Sequence, residues 1–60
     1  MKYTITAQRN DEDLTTSLAN NLTDAKQIAK AIIRDENATV AYIWFTLNYP
    51  QCDYLFKYEG

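Results

Sequence analysis

Histidine is absent from this 60-residue chain, and cysteine, glycine and proline each occur once. Each shortage closes a route. Without histidine, the usual general base near neutral pH is missing. Cys52 has no cysteine to bridge and no histidine to lower its pKa, and one thiol cannot complete the four-ligand set of a structural zinc site. Gly60 is the only glycine, so no glycine-rich phosphate loop can be built. Basic residues are also scarce: six against eight acidic ones, a formal net charge of −2, with none of the basic striping of a general nucleic-acid binder. No apolar run approaches the ~20 residues that cross a bilayer. The opening Met1-Lys2-Tyr3-Thr4-Ile5-Thr6 lacks the continuous apolar segment of a signal peptide. The expectation is a cytoplasmic, non-enzymatic protein with no metal, cofactor or membrane partner.

What is present is a hydrophobic content of 47% and an aromatic content of 13%, which read as one small globular domain over residues 1–60. A domain this short buries only ~60% of the surface its unfolded chain exposes. Its single core supplies at most about 3–5 kcal/mol. With disulfide and zinc excluded, self-association is the natural supplement.

The densest stretch is residues 39–47, Thr-Val-Ala-Tyr-Ile-Trp-Phe-Thr-Leu, rich in β-branched and aromatic types and free of charge. It reads as a central strand. Alternation puts Ala41, Ile43, Phe45 and Leu47 on a core face and Val40, Tyr42, Trp44 and Thr46 on the other. Residues 2–8 alternate likewise, with Tyr3, Ile5 and Ala7 inward. The polar Arg9-Asn10-Asp11-Glu12-Asp13 reads as a solvated turn, because it lacks the ligand spacing and central glycine of a calcium loop.

Residues 14–19 read two ways. As a short strand they pair back on residues 2–8. As a helix they would extend the stripe of Leu14, Leu18, Leu22, Ala25, Ile28, Ala29 and Ile32. The Thr15-Thr16-Ser17 and Asn20-Asn21 runs favour the strand, since these side chains compete for backbone hydrogen bonds inside helices. Thr23 then reads as the cap of a helix with Asp24 in its first turn, and Asn37 as its stop. A turn at residues 48–51 leads to a last strand over 52–58, with Tyr54, Phe56 and Tyr58 facing the helix and Leu55 and Lys57 facing away.

These elements predict an α+β fold, β-β-α-β-β: a three- or four-stranded antiparallel sheet with one helix packed on one face. One helix covers one face. The uncovered face, carrying Val40, Tyr42, Trp44, Leu55 and Lys57, is the candidate partner-binding site, since Tyr and Trp bury much area at low entropic cost. A protein partner or a second copy of the chain is the expected occupant. The alternative is a single-stranded nucleic acid stacking its bases on Tyr42 and Trp44.

Tyr3-Thr4-Ile5, the Leu22–Lys30 segment Leu-Thr-Asp-Ala-Lys-Gln-Ile-Ala-Lys, and the Val-Ala-Tyr-Ile and Tyr-Leu-Phe-Lys-Tyr strands together resemble short α+β accessory proteins borne by phages and prophages. Some proteins of that build are anti-CRISPR inhibitors, which act by binding an effector complex. The resemblance implies a small binder without catalysis, and assigns no residue a role.

Overall fold

The computed structural model describes residues 2–49 and 53–60. Four strands and one α-helix follow in order: β1 (Tyr3–Arg9), β2 (Glu12–Ala19), α1 (Leu22–Glu36), β3 (Val40–Phe45) and β4 (Phe56–Glu59). The strands make one antiparallel sheet in the order β2-β1-β3-β4, and α1 lies across one side of it. The α+β architecture is the one the sequence predicts, and of its three- and four-stranded forms the four-stranded one is found, with residues 14–19 in a strand.

The β1–β2 hairpin owes its tightness to two residues. Asn10 (φ 51°) and Asp11 (φ 69°) both take the left-handed conformation, between the paired Arg9 and Glu12. Two left-handed central residues make the type I′ turn, whose twist matches that of the strands it joins. Asn and Asp are the non-glycine residues that enter this region most readily. One register irregularity interrupts the pairing: Ala7 faces Thr15 but Gln8 faces Asp13, leaving Leu14 as the extra residue. Leu14 packs against the core, whereas Leu18 is 62% exposed. The helical stripe that would have joined the two is split.

The cap of α1 is Asn21, not the expected Thr23. Asn21 Oδ1 accepts the Asp24 backbone N–H at 2.8 Å, and Asn21 Nδ2 donates to Asp24 Oδ2 at 3.2 Å. An acidic side chain three residues after the cap supports that position. Thr23 has Lys26 there, which cannot reciprocate. At the other end Asn37 is left-handed (φ 56°), as expected, and Arg9 Nη2 donates to the Glu36 carbonyl at 2.8 Å, satisfying one of the acceptors a helix end leaves open.

Ile5 and Ile43, opposite each other on β1 and β3, are the large side chains fully buried among the described residues. The other buried hydrophobics are Ala7, Ala19, Ala25, Ala29, Ala38 and Ala41. Small residues on both α1 and the sheet let the helix sit close. Ile28, Ile32 and Ile33 flank the contact half-buried, with Tyr3, Leu22 and Tyr58. Phe56 departs from the expected core set and lies exposed at the margin, where Lys26 Nζ stands 4.7 Å from its ring centroid. Lys30 approaches Tyr58 similarly at 5.8 Å.

The central strand is shorter than predicted. Pairing ends as the Thr46 N–H donates to the Lys2 carbonyl, and Thr46–Asn48 form a single 3-10 turn. Leu47, expected in the core, is consequently 91% exposed. The last strand shrinks too, because β4 begins only at Phe56. Of the predicted turn and strand, positions 50–52, including Cys52, lie outside the described residues.

A candidate aromatic binding face

On the side of the sheet away from α1, β1 supplies small polar side chains and β3 supplies rings. The register sets Thr4 opposite Trp44, Thr6 opposite Tyr42 and Gln8 opposite Val40. Threonines leave room above β1, and the indole leans into it: Trp44 Nε1 donates to Thr6 Oγ1 at 3.0 Å. At the strand end the Thr4 and Thr46 hydroxyls share a hydrogen bond of 2.9 Å. Among the described residues no buried side-chain polar atom is left without a partner.

Two further rings close on this pair. Tyr54 lies 4.7 Å from Tyr42 and 5.9 Å from Trp44, the latter edge-on at 84°. Tyr49 meets Trp44 at 5.2 Å and 72°. Tyr42 and Trp44 are themselves 6.0 Å apart. Tilted and edge-on contacts at these distances are the favoured arrangements of aromatic quadrupoles. The rings thus form one contiguous cluster.

Tyr54 is a correction. Strand alternation through 52–58 would point it at the helix with Phe56 and Tyr58. Since β4 starts at Phe56, alternation does not govern Tyr54, which crosses to the opposite side. It follows that the face is not bare, contrary to the expectation of an uncovered face. The connection between β3 and β4 brings Tyr49 and Tyr54 over it, and they remain 38% and 42% exposed. A clue lay in the sequence: two tyrosines flank the proline-containing connection, where a turn alone needs none.

The expected site residues are distributed as follows. Val40, Tyr42 and Trp44 share the helix-free face of β3, half-buried, and Lys57 pairs with Tyr42 from β4, exposed. Leu55 precedes β4, outside the paired register, with its N–H donating to the Ile43 carbonyl at 2.7 Å.

Between the rings and β2 runs a groove of about 520 Å³, floored by Thr6 and Gln8 and edged by Asp13 and Thr16 on one side and Asp53, Tyr54 and Tyr49 on the other. Gln8 Nε2 donates to Asp13 Oδ1 at 3.1 Å. A second concavity of about 470 Å³ lies where the end of β2 meets the first turns of α1, near Lys2, Leu18 and Gln27. It carries no ring, so the aromatic groove is the better candidate for recognition. Among the described residues no three His, Cys, Asp or Glu side chains stand close enough to hold a metal ion. No helix among them is long and apolar enough to cross a membrane.

No protein-family model, curated protein or solved structure matches the chain.

Proposed function

We propose that the chain is a non-catalytic protein-binding module that engages its partner through the aromatic face of Val40, Tyr42 and Trp44, enlarged by Tyr49 and Tyr54. Lys57 and Leu55 would lie at its margin. The observation that carries this reading is the ring cluster itself: four contiguous aromatics on the helix-free side, two of them about two-fifths exposed. Tyr and Trp dominate the energetics of protein interfaces.

Size favours the same side. A standard interface takes about 800 Å² from each partner, roughly a fifth of this molecule's 4166 Å² surface. In a body measuring 28 × 22 × 15 Å a broad side comes nearest to such an area, and the ring face is one of the two. The phage-type resemblance suggests an inhibitor or accessory factor acting on a protein assembly, the lone thiol suggests a cytoplasmic setting, and the small core suggests a second copy of the chain as the other candidate occupant.

Base stacking on Tyr42 and Trp44 is less well supported. Asp13 and Asp53 edge the groove where phosphate would run, and their like charge would repel it.

The test compares the natural chain with a Tyr49→Ser/Tyr54→Ser variant, by sedimentation for self-association and by affinity capture from host lysate for a partner. The reading predicts an association that the variant loses and that weakens only shallowly with salt. Equal recovery by both chains would contradict it. A steep salt dependence would point instead to phosphate contacts.

A further inference from the structure

We propose that the groove beside the ring cluster receives an arginine side chain of the partner protein. This rests on the protein-binding reading and adds the chemistry of the group recognised.

The groove combines two features that seldom serve the same neutral ligand. One wall is aromatic, from Trp44, Tyr49 and Tyr54, and the rims carry the carboxylates of Asp13 and Asp53. No lysine or arginine lines it, and among the described residues the one ion pair is Arg34–Asp35 on α1. The cation that the register brings to this face is Lys57, on β4, at the opposite edge of the sheet from the β2 residue Asp13. Negative charge in the groove is therefore not balanced from within.

An apolar side chain entering here would strip water from two carboxylates and give nothing in return. A phosphate or carboxylate would meet like charge. A cation answers both features, because ring faces attract it and carboxylates bond it. Between the two basic side chains the geometry favours arginine. Its planar guanidinium stacks on an aromatic face while its edge N–H groups reach carboxylates, whereas lysine's ammonium is a compact, strongly hydrated point charge.

Existing hydrogen bonds prepare the site. Gln8 holds Asp13 by Oδ1, leaving Oδ2 as acceptor. Thr6 takes the Trp44 indole N–H, which fixes the ring that would form the wall.

The full chain tests this directly, because its single tryptophan gives one indole N–H resonance and one indole fluorophore that can be excited apart from the five tyrosines. The probes are acetyl-Gly-Gly-Arg-Gly-Gly-amide and the same peptide with citrulline, the neutral isostere, or lysine in place of arginine. The proposal predicts that the arginine peptide shifts the Trp44 signal and binds at least about fivefold more tightly than the other two. Asp13→Asn/Asp53→Asn should erase that preference while the methyl resonances of Ile5 and Ile43 stay in place. Equal binding of arginine and citrulline, equal binding of arginine and lysine, or a preference that survives the double variant would each overturn it. If the arginine preference is absent but a partner is still captured and lost with Tyr49→Ser/Tyr54→Ser, the groove assignment fails alone. If the capture is also absent, the protein-binding reading fails with it.

Discussion

The two sides of the sheet solve opposite problems with opposite residues. The side under α1 buries alanines and two isoleucines, and its other large side chains are only partly covered. Close approach is what packs it, since the small side chains of Ala25, Ala29, Ala7 and Ala41 fill the contact without holding the two layers apart. Among the described residues no helix or strand covers the other side. There threonines on β1 make room for rings on β3, and two loop tyrosines complete a cluster that buries itself in part and stays in part exposed. Aromatic side chains suit such a half-covered position because each has an apolar body and Tyr and Trp have a polar handle. The proposed function would divide stability and recognition between the two faces of the same strand, β3, residue by residue.

The most severe way to break this division is on the helix side. Ile43→Ala should cost about 3 kcal/mol, as deletion of a fully buried isoleucine does, against a total of about 3–5 kcal/mol for a chain of this size. Its urea transition should therefore shift to near zero denaturant. Ile28→Ala, removing a half-buried side chain from the same interface, should cost nearer 1 kcal/mol and leave a folded chain by circular dichroism.

This contrast marks how far the sequence was legible. The Ala25, Ile28, Ala29, Ile32 spacing and the stop at Asn37 set the helix and its facing, and the β-rich run at 39–47 set the central strand. What the spacing left open was which members of the stripe are covered completely, because that depends on the distance between layers. The choice at residues 14–19 was legible only as a competition, which the tight Asn10-Asp11 turn resolves by bringing β2 back along β1. The candidate face was legible through Tyr42 and Trp44, which strand alternation places together. Tyr49 and Tyr54 were not, because alternation was carried past the point where β4 begins, and a loop's path is set by tertiary contacts such as Tyr54 on Tyr42.

On the open side the expected effects are smaller. Trp44→Phe keeps a ring but removes the donor to Thr6, and should cost about 1 kcal/mol in a chemical melt. Asp11→Gly relieves a left-handed residue in the type I′ turn and should stabilise by about 0.5–1 kcal/mol, raising the urea midpoint.

The smallest effect belongs to neither face. The Arg34 guanidinium, hydrogen-bonded to Asp35 at 3.0 Å, holds that carboxyl below the ordinary carboxylate range, on a fully solvated stretch of helix. A lowered folded-state pKa stabilises at higher pH and loses that contribution as pH falls through the folded value. Asp35→Asn should thus leave the melting temperature at pH 7 almost unchanged and slightly flatten its decline in acid, a difference that salt should erase.

The separation of the two faces is tested most directly by the urea unfolding curve of Tyr49→Ser/Tyr54→Ser beside that of Ile43→Ala. If the rings serve recognition, the tyrosine variant keeps a cooperative transition close to that of the natural chain, while Ile43→Ala loses its native baseline. Collapse of the tyrosine variant to the same extent would show that the rings are a second core, and would contradict the account.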